Sequence, residues 1–156
     1  MISALSKPKD IAALVVFRIA FGLIIAISSF RFLYYGWVHE FFIKPKFHFK
    51  YWGFEWLPVL PASWTYAVFL ALIFLGLLVA AGLFYRIATV LLFVCFAYVQ
   101  MTDVSTYLNH YYLVTLFSGL LVFIPAHRAF SIDVWRKPSL QSDTLPAWCL
   151  YLLRTQ

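Results

Sequence analysis

Long apolar blocks separated by short polar segments make up most of the 156-residue chain. The blocks cover residues 11–30, 64–85, 87–102 and 111–126. The first two have 20 and 22 residues, close to the ~20 that a helix needs to cross a hydrocarbon core of ~30 Å. The other two have 16 residues each. We therefore predict an all-α integral membrane protein, a helical bundle of four transmembrane helices.

The connections between these blocks differ in length. The turn between the second and third blocks takes only one or two residues near Arg86, so these helices should form an antiparallel hairpin. Gly76 and Gly82 in the second block are typical of helices that approach each other closely. A last apolar stretch, 147–153, is too short to cross a membrane, and we predict that it starts a fifth helix.

Residues 34–63, between the first two blocks, interleave aromatic residues with lysines and prolines. Tyr and Trp rings favour the headgroup level of a bilayer, and proline prevents a long regular helix. We therefore predict an interfacial segment within a single transmembrane domain. In the simpler interpretation, this segment only covers the end of the helical bundle at the membrane surface. In the alternative, it closes one side of a lipophilic ligand pocket.

The composition excludes most other classes of protein. Hydrophobic residues make up 64% and charged residues 12%, against roughly 25% charged in soluble domains. The net charge of +6 comes from basic residues between the apolar blocks. We expect the lipid bilayer as a partner and no nucleic acid, because no basic patch with regular spacing is present.

The basic residues also predict an orientation. Six lie on the amino-terminal side of the blocks and four on the other, and the larger number is expected in the cytoplasm. We therefore expect a cytoplasmic amino terminus. The two sets are Lys7, Lys9, Arg86, Arg128, Arg136 and Lys137 against Arg31, Lys44, Lys46 and Lys50.

Ionisable residues at membrane depth are costly and mark either internal pairing or a functional pathway. Arg18 lies within the first block, where it could extend toward the headgroups or pair with a carboxylate. Asp103, Tyr107 and His110 would share one face if helix continued through 103–110. Such a set could do acid/base chemistry, and the alternative is a polar loop that satisfies its own hydrogen bonds.

Other chemistry has less support. We expect no metal site, because His39 and His48 are nine residues apart and no two-histidine helical motif is present. Walker A, Rossmann and nucleophile-elbow motifs are also missing from the sequence. The 17 Phe, 10 Tyr and 6 Trp would suit a flat lipophilic ligand such as a quinone, although aromatic residues in membrane helices usually serve packing.

Five segments, in this order, carry a resemblance to a known family. They are FRIAFG (17–22), YWGFEWLP (51–58), LFYRI (83–87), DVSTYLNH (103–110) and PAHRAFSID (125–133). Together they resemble the amino-terminal membrane domain of vitamin K-dependent gamma-carboxylase and its bacterial homologues, the HTTM domain family. Over residues 1–156 we therefore expect one HTTM-like transmembrane domain, incomplete at its carboxyl end.

The resemblance implies a lyase-type carboxylation. Vitamin K hydroquinone is oxidised by oxygen, a strong base removes a proton from the γ carbon of a glutamyl residue, and carbon dioxide adds there. It implies catalytic roles for Asn109 and His110 and supporting roles for Asp103 and Tyr107. It implies structural roles for Arg18 and Arg86.

We place the expected quinone pocket between segment 34–63 and the 103–110 corner, with a glutamyl protein as the expected substrate. The family's catalytic lysine lies beyond the point that matches Gln156, so we expect either a longer gene product or a short relative. The alternatives are a non-catalytic membrane subunit packed in a larger complex, and a small transporter or channel with Arg18 and Asp103 as pathway charges.

Overall fold

The computed structural model describes residues 6–155. Six α-helices and two short strands form there, in addition to one π-helical turn and two 3-10 turns. The helices are α1 (Ala12–Tyr34), α2 (Ala62–Ala81), α3 (Tyr85–Thr102), α4 (Asn109–Phe123), α5 (Ile132–Arg136) and α6 (Trp148–Arg154); the strands are β1 (Pro8–Asp10) and β2 (Thr144–Pro146). The π-helical turn is His39–Ile43, and the 3-10 turns are Val104–Thr106 and Pro138–Leu140.

Three helices, α1, α2 and α3, are long and apolar enough to cross a membrane. This confirms an integral membrane protein built from helices. Helix α4 is shorter than the predicted fourth span, because its 15 residues cover about 22 Å at about 1.5 Å per residue. It ends at Phe123, before Pro125, and residues 124–126 of the predicted span lie in the following turn.

Helices α1 and α2 touch through their backbones. A Cβ atom on Gly22 would lie 2.5 Å from the carbonyl oxygen of Gly76, and one on Gly76 would lie 2.7 Å from the carbonyl oxygen of Gly22. Only glycine permits this approach. Gly76 therefore has the predicted packing role, and Gly22 is its partner on α1.

Helices α2 and α3 form the predicted hairpin, but its turn lies at residues 82–84 and not at Arg86. Gly82 ends α2 in the left-handed conformation, with φ of 64°. The carboxylate of Asp133 then accepts hydrogen bonds from the backbone N–H groups of Phe84 and Tyr85, at 2.9 and 3.0 Å. Because Asp133 caps the start of α3 from far along the chain, local sequence does not reveal where that helix begins.

Helix does not continue through the 103–110 corner. Asp103 is extended (φ −150°, ψ 122°), a 3-10 turn follows, and Leu108 is extended again before α4 begins. The Asp103 carboxylate accepts the backbone N–H of Ser105 at 2.8 Å, a local bond that competes with helix. The condition for a shared helical face of Asp103, Tyr107 and His110 is therefore not met, and the corner is a polar loop with its own hydrogen bonds, the alternative considered from sequence.

The segment after α4 returns to the start of α1. Strands β1 and β2 pair in antiparallel register, with Lys9 opposite Leu145. Sequence patterning did not predict this ladder, since each strand has only three residues. We call this the ladder end of the bundle, and the end with the 103–110 corner the corner end.

Candidate functional site

A cavity of about 330 Å³ lies at the corner end, between the helices and the segments that connect them. Its volume is within the roughly 300–1,000 Å³ of small-molecule sites. It lies between the interfacial segment and the 103–110 corner, the position expected for a lipophilic pocket. The lining residues are Ser28, Ser29, Phe32, Glu40, Phe41, Phe42, Pro45, Phe69, Leu72, Phe96, Val99, Gln100, Ser105, Thr106, Tyr107, Leu108 and Tyr111.

Aromatic side chains form much of the cavity wall. The rings of Phe32 and Phe69 stack with centroids 5.5 Å apart, and Phe42 packs against Phe69 at 5.5 Å. On another side, Phe96 and Tyr111 meet edge to face at 6.3 Å. Packed rings of this kind form flat, weakly polar surfaces that suit a planar apolar ligand.

One polar group in this wall has no partner. The side-chain nitrogen Nε2 of Gln100 is buried and forms no hydrogen bond within residues 6–155. An unsatisfied buried amide costs about 1–3 kcal/mol of free energy. A ligand oxygen that accepts a hydrogen bond from Gln100 would remove this cost. The sequence signal was weak, because Gln100 is a lone polar residue near the end of an apolar block.

The serine pair on α1 is the other feature of the cavity that the sequence reading missed. Ser28 and Ser29 interrupt the first apolar block, and both line the cavity. Ser29 is buried. Two adjacent serines in a membrane helix could have predicted that this part of the helix faces other helices or a ligand and not the lipid.

Asp103 has a structural position. It is 2% exposed, and its carboxylate accepts the backbone N–H groups of Ser105 and Phe49, the latter at 3.3 Å. The N–H of Val104 in turn donates to the carbonyl of Phe49 at 2.8 Å. Asp103 therefore fastens the corner to the interfacial segment and does not line the cavity.

The other predicted site residues lie at different distances from the cavity. Tyr107 lines it. Asn109 and His110 begin α4 and are exposed, and neither side chain has a hydrogen-bond partner within residues 6–155. The His110 ring contacts the edge of Tyr111, with centroids 4.4 Å apart. Since Tyr111 lines the cavity, His110 contacts a residue of the cavity wall without lining the cavity itself.

A carboxylate stands at the cavity margin. Glu40 is exposed and accepts a hydrogen bond from the ammonium group of Lys44 at 2.7 Å. This hydrogen bond is the main reason why the pKa of Glu40 lies below its usual value. Glu40 therefore places a negative charge on the side of the cavity that the interfacial segment forms.

The two arginines assigned structural roles bind backbone carbonyl groups. Arg18 is completely buried and donates to the carbonyl oxygens of Ala126 at 2.9 Å, Ala129 at 3.2 Å and Phe130 at 2.5 Å. Its burial excludes extension to the headgroups, and it pairs with no carboxylate within residues 6–155, so neither arrangement considered from sequence is present there. Arg86 donates to the carbonyl of Val122 at 2.9 Å.

The sequence model of the HTTM domain matches residues 6–156, nearly the whole chain. No solved structure matches it.

Proposed function

Because this chain belongs to the HTTM domain family, the membrane domain of the vitamin K-dependent carboxylases, we propose that it binds a lipophilic hydroquinone for glutamyl carboxylation. The cavity beside the unpartnered Gln100 amide is the observation that carries this proposal. In that reaction, oxidation of the hydroquinone by oxygen drives removal of a proton from the glutamyl γ carbon, and carbon dioxide adds there.

The cavity residues fit the head group of such a ligand. The stacked rings of Phe32 and Phe69 match a flat ring system in shape and polarity. The Nε2 amide of Gln100 can donate to one ring oxygen, and Ser28 and Tyr107 place hydroxyl groups in the same wall. Since the surroundings are apolar, these hydrogen bonds orient the ring more strongly than they would in water.

In this proposal, His110 and Asn109 act on the glutamyl substrate and do not bind the quinone ring. Neither lines the cavity, and the His110 ring contacts Tyr111 of the cavity wall. The imidazole can therefore accept or donate a proton beside the cavity while the quinone ring occupies it. The neighbouring amide of Asn109 can orient a carboxyl group by hydrogen bonding.

We expect Gln100→Leu to weaken binding of vitamin K quinone about fivefold, the equivalent of one hydrogen bond of roughly 1 kcal/mol. Quenching of tryptophan fluorescence in the purified protein would measure this, because Trp37 packs against Phe32 of the cavity wall at 5.3 Å. Gln141→Leu makes the same change at an exposed position outside the cavity and should leave affinity unchanged. Equal affinity in both variants would contradict the placement of the ring beside Gln100.

We also propose that α4 is a fourth transmembrane helix and that the ladder end of the bundle lies in the cytoplasm. Strand pairing between β1 and β2 and the Arg18 hydrogen bonds hold residues after α4 beside the start of α1. If α1, α2 and α3 each cross the membrane, α3 ends on the side opposite to the start of α1. Helix α4 must then cross as well, because the residues after it lie beside the start of α1. A short crossing is accommodated by local thinning of the bilayer. The larger number of basic residues at the ladder end then places that end on the cytoplasmic side of a bacterial inner membrane.

Labelling with a membrane-impermeant maleimide would check this topology. Cysteines placed at Gln141 and Ser63, with Cys95 and Cys149 replaced by alanine, should react from opposite sides of the membrane. Gln141→Cys should react only from the cytoplasmic side and Ser63→Cys only from the outside. Reaction of both from one side would exclude a crossing by α4.

A further inference from the structure

A second concave surface lies at the ladder end, where α3 begins. It is an open cleft of about 410 Å³, and its walls include Phe84, Arg86, Ile87, His127, Arg128 and Asp133. We call it the basic cleft. It lies at the other end of the bundle from the cavity of the proposed function and shares no lining residue with it.

His127 is the most buried polar group in this wall that has no partner. Its side chain belongs to a residue only 8% exposed, and neither ring nitrogen forms a hydrogen bond within residues 6–155; Nδ1 is fully buried. The ring stacks on Tyr85 with centroids 4.8 Å apart. Tyr85 is itself fixed, because its hydroxyl donates to the carbonyls of Leu121 and Ile124 at 3.1 and 3.0 Å.

The protonation of His127 follows from the same surroundings. Burial is the largest cause that lowers the pKa of His127 below its usual value, and the positive charge of Arg86 lowers it further. Asp133 opposes this shift, and Arg128 and Arg18 add to it. At neutral pH the ring is therefore uncharged and offers one N–H donor.

The charge of the basic cleft is not balanced from within. Asp133 supplies one negative charge to the lining against the two positive charges of Arg86 and Arg128, and its two oxygens accept the N–H groups of Phe84 and Tyr85. One guanidinium nitrogen of Arg86 donates a hydrogen bond to the carbonyl oxygen of Val122. The other N–H groups of that guanidinium remain able to donate to a ligand. The exposed side chain of Arg128 has no ion-pair or hydrogen-bond partner among the residues that the structure describes.

An apolar surface continues from the basic cleft along α3. Four residues at helical spacing share one face of the helix and are exposed, so they meet the hydrocarbon core in a membrane. They are Ile87 (62% exposed), Val90 (43%), Leu91 (46%) and Val94 (55%). Positive charge at the end of an apolar helix face matches a molecule with an anionic head and a hydrocarbon chain.

We propose that the basic cleft binds the phosphate group of an anionic phospholipid, with an acyl chain lying along the exposed face of α3. Arg86 and Arg128 supply charge-assisted hydrogen bonds to the phosphate oxygens, and the unpartnered His127 ring supplies a neutral donor. Basic pockets between membrane helices are a recurring means of binding anionic headgroups. A free phosphate would use the same donors but would gain nothing from the apolar face.

The test uses the purified full chain and vesicles of phosphatidylglycerol or phosphatidylcholine, with retained lipid counted by native mass spectrometry. The wild-type protein should retain phosphatidylglycerol in preference to phosphatidylcholine. Arg128→Gln removes an exposed side chain that makes no internal bond, and should weaken phosphatidylglycerol retention about tenfold, the size expected for a charge-assisted hydrogen bond. Lys9→Gln removes one positive charge at the same end but outside the basic cleft, and should change little.

Three results would overturn the proposal. Equal retention of the two lipids would show that the basic cleft does not recognise a negative headgroup. Equal loss in Arg128→Gln and Lys9→Gln would show a general effect of charge. Binding of inorganic phosphate alone, with the same dependence on Arg128 and with displacement of the lipid, would assign the basic cleft to a small soluble anion.

Discussion

Replacing Arg18 with methionine is expected to lower the free energy of unfolding by about 4 kcal/mol, because buried carbonyl groups left without donors cost about 1–3 kcal/mol each. Two of them, on the buried residues Ala126 and Ala129, accept from this one guanidinium group, and the carbonyl of the exposed residue Phe130 accepts from it as well. Methionine has a similar length but no donor. Chemical denaturation of the protein in detergent micelles, followed by circular dichroism, would measure the change.

Arg31→Met is the matched control for this prediction. Arg31 lies on the same helix but is exposed, and its contact within the described residues is with the ring of Trp37, 5.5 Å from the centroid. An exposed cation–π contact is worth about 0.5–1 kcal/mol, so the loss should be far smaller. If the Arg18 variant were as stable as the Arg31 variant, the carbonyl cluster would not be what holds the segment after α4 to the bundle.

His110→Ala in the complete natural protein is expected to reduce glutamyl carboxylation by at least roughly 100-fold, the usual contribution of a group that transfers a proton in the reaction. The fold should be unaffected, since His110 is exposed and contacts Tyr111 through one ring edge. Quinone-dependent incorporation of labelled carbon dioxide into a glutamyl peptide would measure activity, and thermal unfolding would measure stability.

His39→Ala provides the comparison for that variant. His39 is also an exposed histidine and belongs to the π-helical turn at the corner end, so its removal should leave carboxylation close to the wild-type rate. Unchanged carboxylation in His110→Ala would contradict the proposed role of His110. It would favour the alternative in which the chain is a non-catalytic membrane subunit.

Hydropathy predicted the long helices because it depends on average composition over many residues. It failed at their ends, where single interactions decide. Asp133 sets the start of α3 from 48 residues away, and the Asp103 side chain interrupts helix at the corner. The Asp133 hydrogen bond leaves no pattern in the local sequence, so the turn near Arg86 was placed wrongly. The Asp103 bond is local, and it favours the polar loop over the continuous helix, the two structures that the sequence left open at the corner.

The candidate site was predictable only in outline. An aromatic connection and a polar corner indicated where a cavity would form, since both had to lie at the same end of the bundle. Which side chains face that cavity depends on helix rotation and packing. Gln100 is therefore identified by the structure alone, as a buried amide without a partner, whereas Asp103 proves to be held by backbone N–H groups.

The backbone contact between Gly22 and Gly76 has a consequence for motion. With carbonyl oxygens of each helix packed where a Cβ atom would otherwise lie, α1 and α2 cannot slide or rotate past one another without a steric clash. Phe32 and Phe69, carried by these two helices, therefore form a fixed wall of the cavity. Any change in the shape of the cavity on ligand binding is therefore expected in the walls that α3, α4 and residues 105–108 form.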